Sequence, residues 1–242
     1  MILNDFSNTI KQLFSRELNY ELSDNQIIKF YDYMNYLISE NEKYNLTAIR
    51  DPYDIINKHF LDSCELLRFV DLSFGNKHYI DIGCGAGFPS VPLAILFENS
   101  SFTLVDSVNK KLSFINELSN RINLQNIITF HARAEDIGHD LNYIEKFDYC
   151  LSRAVSKISV VLEYSSQFLS IGGSLFIYKM LDTEQELKLS QSAQHKLYLH
   201  FNDNIQYSLY DNSERTIYRF CKSKETPRLF PRKAGIPTKN PL

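Results

Sequence analysis

Along the first third of the chain the apolar positions keep a helical period. Ser23 followed by Gln26 is a capping-box pair. Behind it Ile27, Tyr31, Met34 and Ile38 recur at the three- and four-residue spacing of an amphipathic helix. A second helix is predicted from Pro52 to Phe69, with Pro52 in its first turn and Ile55, Ile56, His59, Phe60 and Leu67 towards one side. Asn45-Leu46-Thr47-Ala48-Ile49 connects the two. From residue 78 short apolar runs alternate with helical stretches. Tyr79–Ile82, Phe102–Val105, Ile127–Phe130, Phe147–Leu151 and Ser174–Tyr178 read as strands. Leu112, Ile115 and Leu118, then Ile158, Val161, Leu162, Ser165 and Phe168, are spaced for helices. Such alternation predicts a parallel sheet covered on both faces. Near the end the period becomes two: Ile205, Tyr207 and Leu209 alternate with Gln206, Ser208 and Tyr210. Thr216–Cys221 is a second β-rich run beyond the turn-like Asp211-Asn212-Ser213. The expected fold is α/β, a mostly parallel, doubly wound sheet closed by an antiparallel C-terminal strand pair. A helical cap is expected over residues 1–70, the sheet domain over 71–224 and a basic, proline-rich tail over 225–242.

The loop after the first predicted strand concentrates the candidate chemistry. Three of the eight glycines fall in Asp81-Ile82-Gly83-Cys84-Gly85-Ala86-Gly87-Phe88-Pro89, ahead of a helix expected over Val91–Phe97. Glycine lets the backbone approach a ligand with no Cβ in the way, and open α/β sheets bind nucleotides at the carboxyl ends of their strands. Dinucleotide loops read G-x-G-x-x-G. Here Phe88 stands where the third glycine would be, which disfavours NAD. No Gly-Lys-Ser/Thr follows, which excludes a P-loop. Asp81 beside the loop suits a ligand carrying positive charge, so S-adenosyl-L-methionine, with a sulfonium and an ammonium, fits better than a pyrophosphate. Asp106 ends the second strand nineteen residues after Gly87, where it can accept from ribose hydroxyls or cap the next helix. Arg133-Ala134-Glu135-Asp136 after the third strand is placed to meet adenine. Arg153 after the fourth is placed to hold a cofactor carboxylate, the substrate or an RNA phosphate.

These loops have the layout of a Rossmann-like methyltransferase, and absences narrow its substrate. Amine methylation usually shows Asp/Asn-Pro-Pro-aromatic after the fourth strand, where this chain has Asp148-Tyr149-Cys150-Leu151-Ser152. Methylation at pyrimidine C5 needs a cysteine nucleophile, commonly in Pro-Cys; Cys150 lacks the proline and reads as a packed thiol. Metal-dependent O-methylation needs a carboxylate cluster that the sequence does not assemble, so no metal is expected. A ring nitrogen with a free lone pair, such as guanine N7, has no proton to lose. No catalytic side chain is then required, because alignment alone can supply up to about 7–11 kcal/mol.

Composition and charge set further limits. The 242 residues are 44% hydrophobic and 23% charged, which suits a folded chain and excludes global disorder. No run approaches the roughly 18–20 apolar residues of a bilayer span, and MILNDFSNTI lacks the pattern of a signal peptide. Cys64, Cys84, Cys150 and Cys221 are far apart, with no Cys-x-x-Cys, so neither a zinc cage nor a disulfide scaffold is expected. A reducing cytoplasm is the default location. The net charge of −3 argues against a general polyanion binder only until it is divided: residues 215–242 carry +7 and residues 1–214 carry −10. Pro227, Pro231, Pro237 and Pro241 lie in the basic stretch, which predicts an extended tail rather than a regular helix.

Seven segments, in order, resemble the RsmG (GidB) family of bacterial 16S rRNA guanine-N7 methyltransferases. They are Tyr44-Asn45-Leu46-Thr47-Ala48-Ile49, His59-Phe60-Leu61-Asp62-Ser63, the loop from Asp81 to Pro89, Asp106-Ser107, Arg133-Ala134-Glu135, Ser152-Arg153-Ala154-Val155 and the tail from Pro231 to Leu242. The resemblance covers most of the chain. It implies methyl transfer from S-adenosyl-L-methionine to the N7 of a specific guanine in the decoding-site hairpin of 16S rRNA, with that RNA or the small ribosomal subunit as partner. Carried over, the cofactor contacts would be Gly83, Phe88, Ala134, Glu135 and Arg153, to which the loop reading adds Gly85, Gly87 and Asp106. RNA would be engaged by Arg153, Lys179, Arg228, Arg232, Lys233 and Lys239, through salt-dependent phosphate contacts in the tail. A monomer is expected. The chain departs from the family at Lys179-Met180, where Lys-Gly is usual, and at Cys84 and Ser90, where Ser/Thr and Gly are common. A nonenzymatic rRNA-binding or assembly factor on the same fold stays open as an alternative, with an NAD-dependent oxidoreductase behind it. His59 and Asp62, a turn apart, read either as a substrate-side pair or as a packed histidine beside an exposed acid.

Overall fold

The computed structural model describes residues 1–69, 76–181 and 183–242. Helix α1 (Leu3–Leu18) precedes α2 (Asp24–Tyr44), which begins with both halves of the expected box. The Gln26 N–H donates to Ser23 Oγ at 3.2 Å, and the Ser23 N–H donates to Gln26 Oε1 at 3.0 Å. Both helices stop on left-handed asparagines, Asn19 and Asn45, a conformation asparagine tolerates better than most residues.

The helix predicted over Pro52–Phe69 is not regular. It starts as α3 (Pro52–Ile55), widens into a π-helical turn over Ile56–Leu61, returns as α4 (Asp62–Cys64) and tightens into a 3-10 turn over Glu65–Arg68. The widened turn presents backbone carbonyls to partners outside the helix. Those of Lys58 and His59 accept from the Arg153 guanidinium at 2.6 and 3.4 Å. Spacing at 3.6 residues per turn cannot reveal such a distortion, which recurs at functional sites.

The sheet has seven strands: β1 (His78–Ile82), β2 (Ser101–Asp106), β3 (Ile127–His131), β4 (Phe147–Arg153), β5 (Leu169–Met180), β6 (Leu199–Ser208) and β7 (Glu214–Lys222). Their order is β3-β2-β1-β4-β5-β7-β6. The first five run parallel, and β7 lies antiparallel between β5 and β6. Helices α5 (Ser90–Leu96), α6 (Asn109–Arg121), α7 (Ala134–Ile137), α8 (Ile158–Ser165), α9 (Glu184–Leu189) and α10 (Gln191–Leu197) connect them. Phe168, expected on α8, lies beyond its end and fills the core.

Each sheet face covers a core. One joins the cap to the sheet through Phe14, Phe30, Phe60, Phe102, Phe114 and Phe176; the other gathers Ile80, Val161, Leu175, Phe220 and Phe230. Cap and sheet therefore share apolar contacts across the expected domain division at residue 70, which itself lies outside the described residues.

The basic stretch differs most from expectation. Of the basic stretch, Arg215, Arg219 and Lys222 belong to β7, which contains the β-rich run read at Thr216–Cys221. Lys222 is fully buried, donating to the carbonyls of Ser166 (2.9 Å) and Leu169 (2.8 Å) and pairing with Glu145 (3.0 Å). The remaining segment is docked rather than extended into solvent. Phe230, Pro231 and Pro237 are buried, and Ile236–Lys239 forms a single turn, α11, with Pro237 in its first turn, where the missing N–H is no loss. Among the described residues no helix is long and apolar enough to cross a membrane.

Candidate functional site

Parallel register brings the chemistry-bearing residues to one edge. Ile82 pairs with Val105, Asp106 with His131 and Arg153 with Tyr178, so the loops after β1, β2 and β4 open side by side. The glycine-rich loop is tied to β2 through the Gly83 N–H, which donates to the Val105 carbonyl at 2.8 Å. Gly83 has φ +77°, and a Cβ there would stand 2.7 Å from Val155 Cγ2. Gly87 has φ +98°, and a Cβ there would stand 2.5 Å from Val91 Cγ2 and 3.1 Å from the Tyr33 hydroxyl. That hydroxyl donates to the Ala86 carbonyl at 2.6 Å, so a cap residue holds the loop.

A cavity of about 380 Å³ lies over this edge, lined by Gly83, Asp106, Arg133, Ala134, Glu135 and Tyr164 among others. Asp106 Oδ2 accepts the Gly85 N–H at 2.9 Å and Oδ1 the Val108 N–H at 2.8 Å. Lys111 Nζ stands 3.8 Å away. A carboxylate offers about four acceptor positions, so Asp106 retains capacity for ligand hydroxyls while bracing the loop. Asp81 is buried behind it. Its Oδ2 accepts from Ser90 Oγ at 2.6 Å, and its Oδ1 has no partner among the described residues. Burial pushes this carboxyl up to about 7, with the charge of Asp106 adding to the rise. A half-orphaned acid behind Asp106, with Asp106 and Glu135 in the cavity lining, fits a cationic nucleoside ligand such as S-adenosylmethionine, whose positive charge would favour the ionised form.

A second cavity, of about 480 Å³, opens next door and shares Ala154 and Val155 with the first. Ala154 sits at φ +58°, so these two residues form a sharply turned partition between the spaces. Asp62, Arg153, Tyr178, Lys179, Met180, Glu186, Tyr207 and Arg215 are among its lining. Arg153 is locked: besides the two cap carbonyls it donates to Ser63 Oγ at 3.0 Å and pairs with Asp62 Oδ2 at 2.8 Å. Asp62 Oδ1 accepts from the Tyr207 hydroxyl at 2.6 Å. The Tyr178 hydroxyl donates to the Ser63 carbonyl at 2.8 Å.

Several expected site residues are not in the lining of these two cavities and serve the frame around them. Phe88 is stacked between His59 (centroids 4.3 Å apart) and Tyr33 (5.4 Å), which explains why a bulky ring replaces a third glycine: it fastens loop to cap. Gly85 and Gly87 shape the loop behind the cavity lining. His59 and Asp62 do not pair. The Nε2 of His59 lies 2.7 Å from Thr47 Oγ1, and its Nδ1 has no partner among the described residues. Burial, with the Arg153 charge adding to it, holds the imidazole down to about 3, hence neutral. Asp62 is only 2% exposed, not a surface acid.

In the tail, Arg228, Lys233 and Lys239 are exposed, and the described residues give them no ion pair. Arg232 is a correction. Its Nε and Nη2 donate to Glu163 at 2.9 and 2.7 Å, its backbone N–H to the same carboxylate at 2.8 Å, and Nη2 also to the Asn240 carbonyl at 2.9 Å. Glu163 is completely buried, so this arginine anchors the tail instead of reaching for phosphate. Docking brings the Gly235 N–H to Glu135 Oε1 at 3.1 Å and Thr238 Oγ1 to the Tyr164 hydroxyl at 3.0 Å, both partners lining the first cavity. The sequence suggested no cavity role for Tyr207, Glu186 or Arg215 and no anchoring role for Glu163. Glu163 alone left a local trace, as an acid within the apolar run Ile158–Leu162 and Tyr164.

A sheet of this order, with a glycine-rich loop after β1, an acid ending β2 and a cavity over both, is the frame of Rossmann-like methyltransferases. Among solved structures, M. jannaschii TYW2 in complex with AdoMet is similar in fold, with a TM-score of 0.50 at 15% identity over 62% of this chain and 72% of that one. The family described as rRNA small subunit methyltransferase G matches residues 26–211. Ribosomal RNA small subunit methyltransferase G of Lactococcus lactis subsp. lactis is 40% identical over 226 residues, covering 93% of this chain and 95% of that protein. Its namesake in Desulforamulus reducens is 38% identical over 250 residues, covering 99% and 100%. The chain belongs to the rRNA small subunit methyltransferase G family.

Proposed function

We propose that the chain transfers a methyl group from S-adenosyl-L-methionine to the N7 of one guanine in 16S rRNA. The observation that carries this reading is the pair of cavities meeting across Ala154 and Val155. One suits a cationic nucleoside; the other has room for a base swung out of its stack. Gly83, Asp106, Ala134 and Glu135 would hold the cofactor, with Gly85, Gly87 and Phe88 keeping the loop in shape. When bound, S-adenosylmethionine supplies an electrophilic methyl group. The protein's own part is orientation and exclusion of water, because N7 offers a lone pair and no proton. His59 is neutral and turned to Thr47. Cys150 is buried with its thiol pushed up to about 12, so it supplies no thiolate at neutral pH.

Arg228, Lys233 and Lys239 would meet phosphates, while Arg153 and Lys179 stand at the base cavity. Family membership leaves no place for the NAD reading. The protein would act as a monomer, without a metal, in the cytoplasm, on 16S rRNA or the small subunit. Incubation with methyl-labelled cofactor and small-subunit rRNA, followed by chemical cleavage at N7-methylguanine, is expected to reveal one modified position. No label at any guanine N7 would overturn the assignment.

A further inference from the structure

We propose that the second cavity is a guanine pocket in which Glu186 and Lys179 read the Watson–Crick edge of the target base, and Met180 is its apolar platform. The inference rests on the methyltransferase reading above and adds the groups that choose the base. Two acids line the cavity, and they are not equivalent. Asp62 is buried, and each of its oxygens already has a partner, Tyr207 on one and Arg153 on the other, whereas Glu186 has one oxygen without any among the described residues. Glu186 is half-buried, and among the described residues only its Oε2 is engaged, accepting from Lys179 Nζ at 2.8 Å and from the Ile158 N–H at 3.2 Å, which leaves Oε1 to accept. Among the same residues Lys179 spends two of its three N–H donors, on Glu186 and on the Ser156 carbonyl at 2.7 Å, and keeps one.

A carboxylate with an ammonium beside it complements guanine. N1–H and the N2 amine donate to the carboxylate, and O6 accepts from the lysine. Adenine presents a lone pair at N1, which a carboxylate repels. Holding that edge leaves N7 free to face the partition and the cofactor cavity. Met180, 58% exposed at the cavity, supplies a polarisable surface for the base plane.

The test uses the full chain and two ligated small-subunit rRNAs, carrying guanine or inosine at the methylated position. Inosine keeps N1–H, O6 and N7 but lacks the N2 amine. Wild-type kcat/KM is expected to favour guanine about tenfold, the worth of one charge-assisted hydrogen bond. In Glu186→Gln, whose amide oxygen stays with Lys179 and the Ile158 N–H and so turns its NH2 towards the base, the ratio should fall towards one. Met180→Ala should raise KM for both RNAs and leave the ratio as it was. A wild type indifferent to inosine, or a ratio unchanged in Glu186→Gln, overturns the assignment of Glu186. Absence of methylation of either RNA by the wild type would instead strike the methyltransferase reading, and this one with it.

Discussion

Arg232→Ala separates two roles for the C-terminal segment. If that segment were a phosphate-binding arm, the substitution would weaken RNA and leave the cofactor alone. The structure requires the opposite. Truncation removes two guanidinium bonds to Glu163 and one to Asn240, leaving a fully buried carboxylate with, among the described residues, only the Arg232 backbone N–H. Breaking a buried pair in this way costs about 3–5 kcal/mol. Borne by the whole fold, that would lower Tm by roughly 6–20 °C for a chain of this size. A terminal segment can release locally at smaller cost, so a loss of a few degrees with early proteolysis near residue 230 is expected. Release also detaches Gly235 from Glu135 and Thr238 from Tyr164, loosening one wall of the cofactor cavity. Calorimetric titration should show S-adenosylmethionine binding weakened about tenfold, the scale of one hydrogen bond to a charged group, with the salt dependence of RNA binding unchanged. Wild-type cofactor affinity and tail protection, together with a flattened salt dependence, would refute the anchoring argument.

Three further outcomes follow from the same geometry. Lys233→Ala and Arg228→Ala, which remove exposed cations, should each reduce the slope of log K against log salt for RNA by about one at most and spare cofactor binding; filter binding across a salt series measures this. Gly83→Ala should abolish cofactor binding, since its Cβ would stand 2.7 Å from Val155 Cγ2 at φ +77°. Gly85→Ala, with open space around it, should cost only about 1–2 kcal/mol of backbone strain in a denaturant titration. Asp81, at about 7 when folded against an ordinary 3.8, keeps a proton that the unfolded chain has already released. Its contribution to stability is therefore complete below about pH 4 and lost as pH rises through about 7. The Tm of Asp81→Asn relative to wild type should accordingly rise between pH 4 and 8, and a flat difference would exclude Asp81 as the group responsible.

What the sequence made legible follows a physical division between local and non-local causes. The capping box at Ser23, the alternation that gives β1 to β5 and the glycine loop are set by neighbouring residues, and each stands where its pattern places it. The carboxyl-edge positions of Asp106, Glu135 and Arg153 follow from parallel topology alone. The second cavity left only a partial trace, at Asp62, Arg153 and Lys179. Tyr207 meets Asp62 across 145 positions of sequence, and the π-helical turn delivers two carbonyls to Arg153, a partner nearly a hundred residues away. Charge misled for the same reason. A count cannot tell an arginine that faces water from one aimed at a buried acid. Of the eight cations after residue 214, Lys222 and Arg232 are spent inside the fold, holding Glu145 and Glu163. The segment that looked most like an RNA arm is thus fastened at its centre, and fastening it shapes the wall of the cofactor cavity. Under the proposed function, phosphate contact from this segment would fall to the cations that docking leaves outward, Arg228, Lys233 and Lys239, on a segment held beside the first cavity instead of trailing from it.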